Sequence, residues 1–238
     1  MPNAAPPPFE RAMVVVAHPD DAEFGSAGTV AKWVEEGVEV TYVICTDGGA
    51  GAADPSLSRQ ELPPIREREQ RAAAAVLGVR RVEFLGHPDG ELVADLALRR
   101  ELTRLIRRHR PDRLICQNAV RTYSNVYGNH PDHLAAGQAA MEAVYPASRN
   151  PHAFPELLAE EGLVPHVVRE LWVTGTDAPN HFEDVSQTVD RKLEALRQHR
   201  SQLPAGQDIG TRVRQRLADA GQQIGVAAAE SFRRLTSE

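Results

Sequence analysis

The stretch Ala17-His18-Pro19-Asp20-Asp21 sets a histidine and two adjacent carboxylates directly after the β-branched run Met13-Val14-Val15-Val16. Charged groups at the end of a buried strand need a metal, a partner or water to offset their desolvation. His18 and Asp21 flank a proline-stiffened turn and can converge on one cation, while Asp20 points elsewhere. His133, opening a later helix, can supply a third ligand. Two imidazoles and one carboxylate that leave a position for water describe a catalytic zinc site, although the same triad could hold ferrous iron. Zinc polarises a carbonyl and lowers the pKa of its water toward roughly 7, which suits amide hydrolysis. Asp20, beside a ligand but free of the metal, can act as general base. His130 can stabilise the oxyanion or protonate the leaving amine, and Asp132 could hold that imidazole in its protonated form.

The elements that must position these groups follow from the hydrophobic pattern. Met13 to Ala17, Val38 to Cys45, Val82 to Leu85, Arg113 to Gln117 and Glu170 to Thr174 read as strands. Between and after them, Gly28 to Glu36, Ile65 to Leu77, Ala94 to His109, His133 to Tyr145, Ser186 to His199, Gly206 to Gly221 and Val226 to Leu235 read as helices. Asn118 to Asn129 is too irregular for either and reads as a functional loop. Alternation of strands with helices predicts an α/β, Rossmann-like three-layer fold with a mainly parallel sheet, in one domain over residues 1–238. The tripeptide His-Pro-Asp recurs at 18–20, 87–89 and 130–132, each time after a predicted strand. In a doubly wound sheet the ligand crevice lies outside the carboxyl ends of the strands, so the three clusters should meet there.

Composition narrows the partners. Against 33 acidic residues stand 27 Lys and Arg, a net charge of −6 with no long basic block, which argues against nucleic acid. Cys45 and Cys116 each lie in a predicted strand and read as buried free thiols, which fits a reducing compartment. Met1 to Glu10 is Pro/Ala-rich without a basic region and apolar stretch, and no run reaches membrane length. The expected location is the cytoplasm, with no membrane span.

Ala17-His18-Pro19-Asp20-Asp21-Ala22-Glu23, with His130-Pro131-Asp132-His133 later in the chain, resembles the LmbE-like, or PIG-L, deacetylases. That family includes the N-acetylglucosaminyl-phosphatidylinositol de-N-acetylases and the deacetylases of mycothiol and bacillithiol synthesis. Arg66 to Glu69 ahead of Leu77-Gly78 resembles its Arg-x-x-Glu helix, and Leu85-Gly86-His87-Pro88-Asp89-Gly90 its Leu-Gly-x-Pro-Asp-Gly turn. Lys192 to Gln202 and Ala229 to Phe232 resemble its C-terminal elements. The resemblance implies zinc on His18, Asp21 and His133, Asp20 as base and His130 as electrophile or acid. It places Arg66 near acyl or sugar oxygens and Asp89 near sugar hydroxyls. The implied substrate is a small N-acylated amino sugar or conjugate, and the implied assembly a homo-oligomer.

Other features carry blander readings. His87 departs from the family pattern and reads as a surface turn residue, and His199 as a structural or oligomer contact. Tyr123 and Tyr127 lie where they could cover the cleft. The loop Gly48-Gly49-Ala50-Gly51 lacks both dinucleotide-binding spacing and a P-loop lysine. The rival functions are a metallophosphoesterase, which needs more ligands than one triad, and a nucleotide-binding module, whose first strand should end in a glycine turn.

Overall fold

The computed structural model describes residues 9–52, 54, 56–123, 126–203 and 208–237. The proline-rich start of the chain and the expected helix start at Gly206 lie outside these residues. Strands β1 (Arg11–Val16), β2 (Glu39–Thr46), β3 (Arg81–His87), β4 (Arg113–Gln117), β5 (Glu170–Thr174), β6 (His181–Asp184) and β7 (Ala229–Thr236) form one sheet in the order β3-β2-β1-β4-β5-β7-β6. The first five strands run parallel, and β7 and β6 close the far edge antiparallel.

Around the sheet lie α1 (Asp21–Glu35), α2 (Leu62–Leu77), α3 (Leu96–His109), α4 (Pro131–Glu142), α5 (Pro155–Ala159), α6 (Val189–Leu196) and α7 (Ile209–Gln222). Side chains of β1 alternate between two cores, as a two-sided strand requires. Val14 and Val16 join Val30, Trp33 and Leu77 under α1 and α2. Met13, Val15 and Ala17 join Leu102, Ile106 and Ala136 under α3 and α4. The strand order reverses between β1 and β4, which places the switch-point crevice at the carboxyl ends of those two strands.

Three parts of the sequence-based reading are corrected. The expected helix Val226 to Leu235 is absent and its residues from Ala229 on belong to β7: Ala227, Ala228 and Ala229 favour helix, but pairing with β5 on one side and β6 on the other overrides that weak preference. The four-residue β6 was not anticipated, being too short to show a period. The first helix also starts earlier than its apolar spacing suggests, at Asp21, so that Asp21 is its first residue.

Candidate active site

The end of β1 is tied down before the chemistry begins. The Ala17 N–H donates to Gln117 Oε1 at 2.8 Å, and its carbonyl accepts from the Thr46 N–H at 2.8 Å and Thr46 Oγ1 at 2.9 Å. Pro19 then stops the ladder. Asp20 follows with φ 98° and ψ −26°, a left-handed conformation that costs a non-glycine residue of order 1–3 kcal/mol unless its surroundings hold it. At Asp21 the chain turns into α1, whose first turn carries Asp21 and Glu23 and is favourable to negative charge. Asp21 Oδ2 accepts from the His18 N–H at 2.8 Å, which closes the turn.

Across the switch point, α4 begins with His130 at its N-cap and Pro131 in its first turn. His133 therefore faces back toward β1. His18 Nδ1 and His133 Nε2 stand 3.2 Å apart, His18 Nδ1 and Asp21 Oδ2 3.3 Å, and His133 Nε2 and Asp21 Oδ1 3.1 Å. Donors bonded at about 2.0–2.1 Å around a tetrahedral ion stand about 3.3 Å from one another, and these pairwise spacings are of that size.

The other nitrogen of His18 faces acid. Its Nε2 lies 3.0 Å from Asp89 Oδ1 and 3.3 Å from Asp132 Oδ2. A metal-ligating imidazole commonly donates its second N–H to a carboxylate, which fixes the tautomer and strengthens the ligand. Burial opposes a charged His18, but Asp21 and Asp89 outweigh it and raise the pKa to about 10. Among the described residues, His18 with Asp89 and Asp132, and His18 with His130 and His133, are groupings in which one donor atom from each residue lies near enough to share an ion, whereas His18 and His133 meet different oxygens of Asp21. Both contain His18.

Asp132 sits elsewhere than expected. Its carboxylate accepts from the Gly90 N–H at 2.7 Å and the Leu92 N–H at 3.3 Å besides facing His18, so it knots the Pro-Asp-Gly turn to the site. Its link to His130 runs through its backbone N–H, which donates to His130 Nδ1 at 3.2 Å. That bond leaves the proton of a neutral His130 on Nε2. Burial, then the charges of His18 and His133, lower the His130 pKa. The geometry thus leaves His130 Nε2 free to donate and sets the Asp132 carboxylate against His18 rather than against the His130 ring.

Asp20 stays clear of the three donors. Burial, reinforced by the charge on Asp21 and opposed by Arg66, pushes its pKa up to about 7, near that of an effective general base at neutral pH. Asp21 goes the other way: burial would raise it, but His133 and His18 hold it well below the usual carboxylate range.

Arg66 and Asp89 border the cluster, but both are turned inward. Arg66 Nη2 donates to the Pro19 carbonyl at 2.5 Å and lies 3.4 Å from Asp20 Oδ2, while Nη1 donates to the Gly48 carbonyl at 3.0 Å. A Cβ on Gly48 would sit 2.9 Å from Arg66 Cδ, so this glycine admits the arginine rather than a phosphate. Asp89 accepts from the Ala50 N–H at 3.0 Å, and its own N–H donates to Asp47 Oδ1 at 3.1 Å. Burial works against its charge, but His18 and the Ala50 N–H prevail and hold its pKa at about 2.

His87 lies apart, bonded to Glu101 at 2.7 Å, and the Tyr123 side chain projects into solvent. The Tyr127 side chain lies outside the described residues. His199 is buried on Glu23 at 3.1 Å. Gln70 and Asp47 stand in no motif, and Glu23 enters the sequence reading only as the last residue of the Ala17 to Glu23 motif, with no role; the i, i+4 spacing of Arg66 and Gln70 is the one signal that they share a helix face.

A doubly wound sheet with a His–Asp–His donor set and a free carboxylate at its switch point is the layout of a metal-assisted hydrolase. Residues 13–144 match the family model described as PIG-L: GlcNAc-PI de-N-acetylase, and the chain belongs to that family. It is similar to diacetylchitobiose deacetylase of Thermococcus kodakarensis, 34% identical over 195 residues that cover 82% of this chain and 71% of that protein. To a probable N-acetyl-alpha-D-glucosaminyl L-malate deacetylase 2 of Bacillus cereus it is 33% identical over 208 residues, covering 81% of this chain and 84% of that protein. Among solved structures, N,N′-diacetylchitobiose deacetylase from Pyrococcus horikoshii, in complex with its inhibitor MPG, matches with a TM-score of 0.89 at 33% identity. That match covers 96% of this chain and 85% of that one. No helix of the described residues is long and apolar enough to cross a membrane.

Proposed function

We propose that the protein hydrolyses the acetamide of an N-acetylated amino sugar or conjugate, releasing acetate and the free amine. The observation that carries this reading is the convergence of His18 Nδ1, Asp21 and His133 Nε2 at 3.1–3.3 Å, with Asp20 left free beside them. His18, Asp21 and His133 would hold zinc or ferrous iron. Zinc there supplies a Lewis acid for the amide carbonyl and makes water more acidic. Asp20 accepts a proton from the attacking water as its oxygen bonds to the carbonyl carbon. His130, with Nε2–H free to donate, stabilises the negative charge that builds on the carbonyl oxygen. As the C–N bond breaks, the proton passes from Asp20 to the nitrogen. Asp132 and Asp89 keep the His18 ring in one orientation throughout.

Acetamido sugars as the substrate class are supported by the activities for which the relatives are named. A cytoplasmic location is supported by two free, fully buried cysteines. Because both candidate donor groupings contain His18, one ion with supporting carboxylates describes them better than the two-ion centre of a phosphoesterase. The test is to incubate the purified, metal-quantified protein with N-acetylglucosamine, N,N′-diacetylchitobiose and glycosides of N-acetylglucosamine, and to assay acetate. Asp20→Asn should keep the metal and lose hydrolysis by about 10²–10⁴-fold, the range of general-base contributions. Acetate release absent from every acetamido sugar, at one zinc per chain, would overturn the proposal.

A further inference from the structure

We propose that Gln70 is a positioning residue for Asp20: with Arg66 it clamps both ends of one peptide group, and Glu23 and His199 lock the clamp from behind. The inference rests on Asp20 being the base. Pro19 C=O and Asp20 N–H belong to the same peptide unit. Arg66 Nη2 donates to that carbonyl, and Gln70 Oε1 accepts from that N–H at 2.9 Å. The two side chains leave α2 one helical turn apart, so a single rigid helix holds the unit from both sides. That unit sets the left-handed turn at Asp20, and therefore the direction in which its carboxylate leaves the chain.

The amide of Gln70 can face only one way. Its oxygen takes the Asp20 N–H, and its nitrogen donates to Glu23 Oε1 and Oε2 at 3.0 and 3.1 Å. Glu23 also receives His199 Nε2 at 3.1 Å. Gln70 and Glu23 are 0% exposed and His199 1%. Hydrophobic residues in such a place would commonly be at least as stable, so a buried polar chain is better explained by what it orients than by what it stabilises. Beyond His199, Ser201 donates to Glu69 on α2 through its N–H at 2.9 Å and Oγ at 2.6 Å, and Gln202 Nε2 donates to the Gly51 carbonyl at 2.8 Å. Residues 199–202 thus brace α2 and the 48–51 loop against the turn. In a substrate complex this fixes Asp20 where water must be deprotonated, and misplacement by about 1 Å can cost roughly a hundred-fold in rate.

The test compares Gln70→Leu, Gln70→Glu, Glu23→Gln and the exchange Glu23→Gln/Gln70→Glu, with Asp20→Asn alongside. Each is assayed for kcat and KM on an acetamido sugar that the wild type cleaves, for zinc per chain, and for Tm. Gln70→Leu should lower kcat roughly a hundred-fold with KM and zinc content unchanged. In the exchange a carboxylate on α2 still accepts the Asp20 N–H and an amide on α1 supplies the lost donor, so kcat should recover well above both single variants. Wild-type kcat in Gln70→Leu would overturn the proposal. So would a fall in kcat that follows zinc loss or Tm and is not recovered in the exchange. If Asp20→Asn turns over at the wild-type rate, the base assignment itself falls. An inactive Asp20→Asn beside a fully active Gln70→Leu removes the clamp alone.

Discussion

At Asp20 the backbone is left-handed, and at Asp21 it is already helical, so the two adjacent carboxylates leave the chain in different directions. One meets Arg66 and the other meets His18 and His133. The same divergence operates within His18, whose Nδ1 faces the donor set while Nε2 faces Asp89 and Asp132. Truncating a donor and loosening a supporting carboxylate should therefore differ in degree. His133→Ala should leave the protein without its metal when it is dialysed against a weak chelator, and full occupancy would contradict the donor set. Asp132→Asn should retain the ion but bind it about 10–100-fold more weakly, the usual effect of removing a partner of a ligating imidazole. Competition with a chromogenic chelator measures the difference.

At the scale of elements, α4 must approach β4 closely to bring His130 and His133 to β1. Gly137 permits this, because a Cβ there would lie 2.3 Å from the Gln117 carbonyl oxygen. Gly137→Ala has a backbone atom in its way and no flexible side chain to displace. It should destabilise the fold by about 1–3 kcal/mol in urea unfolding and weaken metal binding with it. The seat of α1 depends on a different device. Glu230 on β7 accepts from the Gly28 and Thr29 N–H groups at 2.9 and 2.8 Å, and Lys192 on α6 bonds both Glu230 at 2.6 Å and the Phe24 carbonyl at 3.0 Å. Polar side chains here enter the hydrogen-bond ladder of α1 itself. Lys192→Met would leave Glu230 buried without its cation and should cost about 3–5 kcal/mol in denaturant unfolding. The double variant with Glu230→Gln should cost less than Lys192→Met alone.

For the whole molecule, the reversal of strand order between β1 and β4 gathers loops from both halves of the sheet at one crevice. His18, Asp20 and Asp21 come from the end of β1, Asp89 from the turn after β3, and His130 to His133 from the far side of the β4 loop. An ion held by His18 and Asp21 on one side and by His133 on the other would tie those halves together. Chelation should abolish acetate release and lower Tm, and added zinc should restore both. At free zinc one hundred times Kd, the native state gains about 2.7 kcal/mol. Undiminished turnover in metal-free protein would refute this linkage.

The residue types at the site were legible in the sequence. His18, Asp20, Asp21, His130 and His133 lie within short motifs, and short-range geometry at a strand end or helix start limits where such groups can point. The central strands were legible too, because β1, β2 and β4 are buried on both faces and so read as continuous apolar runs. Tertiary structure decided what local pattern cannot encode. The segment 229–236 became a strand because two neighbours offered it a ladder. Arg66 turned from the expected substrate contact to a buried brace because Gly48 and the Pro19 carbonyl lie beneath it. The Asp132 carboxylate meets the His18 ring, and only its backbone N–H meets His130. Gln70, Glu23 and His199 became one network across sequence separations of 47 and 176 residues, since buried polar groups must be paired and only the packing of three elements supplied the partners.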